Sequence, residues 1–124
     1  MSAREFKRAR VVEEAVLRND GCEVAGLFHL LAGRWILPTL WELHRQDGPI
    51  RFGELKANLK EVTNSELSRA LRLLESAHLI DKKIYAEKPP RVEYFCTPLG
   101  RSIREPIEEL AKWQAAHLDE ILGR

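Results

Sequence analysis

Hydrogen-bonding side chains recur along one side of the segment from Thr63 to Ala77. At about 100° per residue, this side lies opposite an apolar stripe of Leu67, Leu71 and Leu74. The polar residues on this side or beside it are Asn64, Ser65, Ser68, Arg69, Arg72 and Ser76. Arginine can donate two hydrogen bonds to guanine, asparagine can pair with adenine, and serine can reach base edges or phosphates. The alternative is an ordinary solvated face, so the neighbouring elements must decide between the two.

Those neighbours favour a DNA-binding fold. Thr63 and Glu66 have the spacing of a capping box, in which each side chain accepts a hydrogen bond from an amide at the helix start. A short helical segment, Phe52–Leu59, precedes this helix, and two β-prone runs, Leu79–Tyr85 and Val92–Thr97, follow it. A short helix, a turn, a capped helix and a hairpin predict a winged helix-turn-helix, mainly α with a small β-hairpin wing.

The hairpin supplies further cations. Its predicted tip, Ala86–Arg91, carries Lys88 and Arg91, which can contact phosphates or enter a minor groove. The alternative is that lysines keep the hairpin edge soluble. We therefore expect the recognition helix, about 63–77, in the major groove and the wing, about 80–97, on the flanking backbone or minor groove. The predicted DNA-binding residues are Thr63, Asn64, Ser65, Ser68, Arg69, Arg72, Lys88 and Arg91.

Helices are predicted on both sides of this unit. Apolar spacing indicates helices over Arg4–Arg18, Val24–Leu31 and Arg34–Gln46, and a long final helix from Pro98 with a kink at Pro106. We interpret residues 1–124 as a single domain whose N- and C-terminal helices hold a homodimer, because they carry more apolar surface than one small domain needs. Two-fold symmetry then implies a pseudo-palindromic double-stranded operator.

Composition narrows the function classes. The net charge of +1 does not by itself indicate nucleic-acid binding. This leaves open a winged-helix module that binds protein without DNA. The two cysteines, Cys22 and Cys96, and four scattered histidines show no metal-ligand spacing and no nucleophile motif, so no metal, cofactor or enzymatic activity is expected. Neither a signal peptide nor a run of about 20 apolar residues is evident, which predicts a cytoplasmic protein.

Five short motifs are similar to those of HxlR-type winged-helix regulators, which are related in architecture to MarR-type proteins. They are Gly33-Arg34-Trp35, Arg51-Phe52-x-Glu54-Leu55, Leu71-x-x-Leu74-Glu75, Pro89-Pro90-Arg91-Val92-Glu93-Tyr94 and Thr97-Pro98-Leu99-Gly100. The resemblance covers about Cys22 to Trp113. It implies a dimeric DNA-binding transcription regulator, with the first and last helices at the dimer interface.

The chain departs from this pattern at three points. Glu23 stands where the family often has proline, Val62-Thr63 where it often has Ile-Ser, and His78 where glycine is common. The resemblance implies that Cys22 could sense oxidants or electrophiles, provided that its thiolate is accessible and stabilised. Packing as a small apolar side chain is the alternative.

Overall fold

The computed structural model describes residues 2–17 and 24–124, apart from the side chains of residues 15 and 16. The elements in chain order are α1 (Ala3–Leu17), α2 (Ala25–Leu31), α3 (Ile36–His44), β1 (Ile50–Arg51), α4 (Phe52–Leu59), α5 (Asn64–Ser76), β2 (Ile80–Tyr85), β3 (Arg91–Cys96), α6 (Pro98–Ser102), α7 (Arg104–Ala116) and α8 (Leu118–Leu122). This order confirms the predicted mainly α fold with a small β wing. Within the described ranges, no helix is long and apolar enough to cross a membrane.

Two helix starts are capped by threonine as their sequences predict. The Thr63 hydroxyl accepts a hydrogen bond from the Glu66 amide at 3.1 Å, and Glu66 Oε1 accepts one from the Thr63 amide at 3.0 Å. At α6, the Thr97 hydroxyl accepts a hydrogen bond from the Gly100 amide at 3.0 Å, and Pro98 follows as the first helical residue. Both caps satisfy amides that have no partner within their own helix.

Prolines explain how two other helices begin. Pro38 lies in the first turn of α3, where a missing N–H costs no helical hydrogen bond. The prediction of one long C-terminal helix with a kink at Pro106 is wrong, because the chain forms three helices there. Pro106 cannot donate to the Ser102 carbonyl and its ring would collide with that group, so the helix is interrupted at Ile103. A second interruption follows at His117.

The wing contains one more strand than the sequence predicted. The two predicted strands, β2 and β3, pair antiparallel from Ile80 opposite Cys96 to Tyr85 opposite Arg91. β1 adds to the other edge of β3, with Ile50 opposite Tyr94, so the strand order is β1-β3-β2. A strand of two residues is too short to show an alternating pattern, which is why it was missed.

The link from α5 to β2 requires an unusual backbone at His78. Its φ is +60°, in the left-handed region that glycine adopts without steric cost. The Thr97 hydroxyl donates to the His78 carbonyl at 2.6 Å, which ties this turn to the start of α6. This left-handed backbone explains why glycine is common at this position in the HxlR-type regulators that the sequence resembles.

A single cluster of apolar side chains joins α3, α4, α5 and the sheet. Its most deeply buried members include Leu40, Leu43, Leu55, Leu67, Leu71, Leu74 and Ile80. The three predicted stripe leucines of α5 are among them, so the apolar face of α5 is turned fully into this core. The polar row of the helix must consequently face outward.

Candidate nucleic-acid interface

Within the unit formed by α4, the following turn and α5, one side of α5 is exposed to solvent. Asn64, Ser65, Arg69 and Arg72 are exposed, while Ser68 is half-buried. The two arginines are three positions apart and therefore lie on the same side of the helix, about one turn apart. The structure thus brings together on one face all the α5 residues that the sequence indicated, with Thr63 exposed at its start.

The two carboxylates of α5 are already engaged. Glu75 Oε1 lies 3.4 Å from Lys82 Nζ on β2, at the C-terminal end of the helix. Glu66 belongs to the capping box at the N-terminal end. Among the described residues, neither Arg69 nor Arg72 forms an ion pair, so both guanidinium groups are available to an anionic partner.

Glu66 makes a second contact that the sequence did not reveal. While Oε1 accepts from the Thr63 amide, Oε2 accepts a hydrogen bond from Trp35 Nε1 at 2.9 Å. These bonds, from the backbone and side chain of Thr63 and from Trp35, hold the pKa of Glu66 below its ordinary value. The carboxylate therefore ties the start of α5 to the chain just before α3. Trp35 sits in the motif Gly33-Arg34-Trp35, and that position was the only signal for its role.

This geometry predicts that glutamine cannot replace glutamate at position 66. A capping box ordinarily accepts either residue, but a glutamine side chain has one acceptor oxygen and would turn its NH₂ toward a second donor. Glu66→Gln should therefore lower the midpoint of thermal unfolding in the wild-type chain. In a Trp35→Phe background the same change should cost clearly less, because only the Thr63 amide then needs an acceptor. Equal losses in the two backgrounds would contradict the shared-carboxylate arrangement.

The two cations of the wing tip differ in their surroundings. Lys88 lies in the exposed loop between β2 and β3. The Arg91 guanidinium is half-buried, stacks 3.9 Å from the centre of the Tyr85 ring, and lies 3.4 Å from Glu87 and 3.8 Å from Glu93. Arg91 thus stabilises the hairpin through its ion pairs with two carboxylates, whereas Lys88 is exposed to solvent.

Only one of the two cysteines lies within the described residues. Cys22 lies outside the described residues. Cys96 is buried in β3 beside the core, and this burial raises the pKa of its thiol, as suits a packing residue. Across residues 2–17 and 24–124, no three potential ligand side chains are grouped so as to hold a metal ion.

Comparisons with known proteins agree with this geometry. The sequence pattern of the HxlR-like helix-turn-helix family matches residues 30–121. An uncharacterized HTH-type transcriptional regulator of Methanothermobacter thermautotrophicus is 37% identical over 92 residues, covering 74% of this chain and 69% of that protein.

Two solved structures share the fold. A putative transcriptional regulator of the MarR family from Porphyromonas gingivalis superimposes with a TM-score of 0.69 and is 36% identical, covering 80% of this chain and 95% of that one. The redox regulator HypR in its oxidized form superimposes with a TM-score of 0.64 at 27% identity, covering 77% and 96% of the two chains.

Proposed function

Because this chain belongs to the HxlR-like helix-turn-helix family of transcriptional regulators, we propose that it binds double-stranded DNA as a homodimer. The exposed face of α5 enters the major groove, where Asn64, Ser65 and Arg69 reach base edges and Arg72 reaches a base or phosphate. Thr63 and Ser68 lie at the edges of this contact. Lys88 contacts the flanking DNA backbone or minor groove. It lies on the hairpin that Arg91 stabilises. The operator is a pseudo-palindrome.

One observation carries this proposal. The exposed side of α5 holds two arginines with no carboxylate partner among the described residues, while both carboxylates of the same helix are engaged elsewhere. A helix face that served only solubility would gain from pairing these charges along the helix. Because these arginines are unpaired and project outward, they can bind a polyanion.

Apolar surface on the terminal helices supports the dimer. α7 has thirteen residues but no buried one, and α8 has none either. Leu110, Trp113 and Ile121 are each more than half exposed, as is Phe6 on α1. An isolated helix of this length is marginal in water, so these helices need a partner surface to cover them.

A receiving surface exists on the same molecule. α1, α2, the turn before β2 and the α6–α7 junction line an apolar groove of about 770 Å³, with Val12, Leu27, Leu30 and Leu79 among its walls. A second copy related by two-fold symmetry can place its C-terminal helices on this groove and offer its own groove in return. Such a dimer would set the two α5 helices roughly 34 Å apart, one turn of DNA.

Selection of duplexes from a random pool, followed by titration, tests DNA binding directly. We expect enrichment of a pseudo-palindrome and affinity for it that clearly exceeds that for unrelated DNA. Absence of any enriched sequence, together with stable capture of a protein partner by the same face of α5, would instead support the protein-binding alternative.

Sedimentation tests the dimer separately. Wild type should sediment at twice its mass of 14.3 kDa at micromolar concentration. Trp113→Glu places a carboxylate in the proposed interface and should yield monomer. Ala115→Glu adds the same charge on the polar side of α7 and serves as the matched control. Monomeric wild-type protein would contradict the dimer, and equal effects of the two substitutions would contradict the proposed interface.

The same family premise supports a redox role for Cys22. The support comes from the fold shared with the redox regulator HypR. Next to the cysteine itself, Glu23 departs from the family pattern, and the matched family segment begins at residue 30. If Cys22 responds to oxidants, diamide treatment should change the affinity of wild type for DNA and leave Cys22→Ser unaffected. Cys96, buried in the core, should not contribute. The same response in both proteins would assign Cys22 to packing alone.

A further inference from the structure

Three cations form a stripe along α1 beside the recognition helix. Arg4, Lys7 and Arg8 have the spacing i, i+3, i+4, which places them on one face of a helix. α1 packs against α5. Together with Arg69 and Arg72 of α5, the stripe lines a shallow groove of about 440 Å³. Five positive side chains from two helices therefore converge, and the groove lining contains no carboxylate.

Two carboxylates, Glu5 and Glu75, line the adjoining groove with Arg8 and Arg72, and each has another partner. Glu5 accepts a hydrogen bond from the Ser2 amide at 2.9 Å, and Glu75 is paired with Lys82. Within the part of the chain that the structure describes, none of the five cations forms an ion pair. Like charges one turn apart repel each other, so the arrangement costs stability unless an anionic partner offsets it.

Of the exposed apolar residues of α1, Val11 lies within the stripe and lines the groove. Phe6 and Leu17, both well exposed, lie on nearly the opposite side of the helix. Arg10 lies off the stripe and is paired with Glu14 at 3.2 Å. α1 can therefore contribute its apolar side to a dimer and still present the stripe beside α5.

We infer that Arg4, Lys7 and Arg8 bind phosphates of the DNA backbone next to the major-groove segment that α5 enters. This inference rests on the proposed function and extends the DNA contact to α1. Arg69 and Arg72 link the stripe to the base-reading residues of α5, so one positive surface continues from the groove onto its rim. Phosphate is the ligand, because long flexible cations in an open shallow groove bind a line of negative charge without reading bases.

The salt dependence of DNA affinity tests this directly. Binding to phosphates releases counterions, so the slope of log K against log salt should become shallower by about 0.9 for each phosphate that the protein no longer neutralises. Lys7→Gln removes one such cation from each subunit of a dimer, and the slope should change by about 1.8. Affinity for operator and for unrelated DNA should fall by the same factor.

Two further variants separate charge from structure. Arg10→Gln removes a cation from the same helix off the stripe and should leave the slope unchanged. Lys7→Arg keeps the charge and should preserve the slope, whereas a shallower slope with Lys7→Arg would overturn the phosphate role. If wild type binds DNA and Lys7→Gln shows the same slope as wild type, the inference fails and the proposed function stands. If wild type binds no duplex, the proposed function itself fails.

Discussion

Gly100→Ala should unfold the protein or lower its free energy of unfolding by about 3 kcal/mol or more. A Cβ atom at position 100 would lie 1.8 Å from the Leu79 carbonyl oxygen, far inside van der Waals contact. Neither side can move freely. The Leu79 carbonyl accepts a hydrogen bond from the Thr97 amide at 3.1 Å, and the Gly100 amide donates to the Thr97 hydroxyl at 3.0 Å. The start of α6 must therefore separate from the start of β2.

A buried histidine adds to this constraint. His44 Nε2 donates to the Gly100 carbonyl at 2.7 Å, and His44 is 2% exposed. Burial lowers the pKa of His44, so the ring is neutral and its Nε2 carries the proton in this bond. Moving Gly100 away from Leu79 would weaken this bond and leave a buried N–H without an acceptor.

Urea unfolding of Gly100→Ala beside Gly53→Ala tests the prediction. The Cβ added at Gly53, within α4, meets no atom within 4 Å. Alanine there should raise stability by about 0.5–1 kcal/mol, because it favours the helix over the flexible unfolded chain. Similar stability of the two variants would mean that α6 and β2 are not in the close contact described.

Substitution of Arg69 or Arg72 should have the largest effect on DNA affinity. Each guanidinium is exposed on α5 without a carboxylate partner among the described residues, so each can make a bidentate contact. Arg69→Ala or Arg72→Ala should weaken binding to the operator by about 1–3 kcal/mol in each half-site. Fluorescence titration of the selected duplex measures this change in affinity.

The pattern of weakening distinguishes the two kinds of contact. Removing a base contact lowers operator affinity and leaves unrelated DNA little affected, whereas removing a phosphate contact lowers both equally. Arg124→Ala, at the far end of the chain, is the control, since its side chain is exposed and lies 3.3 Å from Asp119. Unchanged operator affinity for both α5 variants would show that another surface binds DNA.

Features with local causes could be predicted from the sequence. The helix starts at Thr63 and Thr97 follow from hydroxyl groups placed beside unpaired amides. The outward face of α5 follows from leucines spaced at helical intervals. The interruption before Pro106 was underestimated, because a kink and a complete break share the same local cause. Whether the helix recovers depends on what packs beside it.

Residues that depend on distant partners could not be predicted. Lys88 and Arg91 are equivalent in the sequence, but only the cross-strand contact with Tyr85 engages Arg91 in the hairpin. Trp35 precedes Glu66 by 31 residues, and nothing in either segment announces their hydrogen bond.

The helices before Pro98, the hairpin, the threonine caps and the polar face of α5 follow from local sequence, because hydrogen bonding and apolar periodicity within one segment specify them. Two contacts depend instead on long-range packing: the stripe from Arg4 to Arg8 lies beside α5, and Gly100 lies against the Leu79 carbonyl. The same packing pairs β1 with β3. These contacts join segments far apart in the chain, and their geometry follows from how the whole core packs rather than from any local pattern.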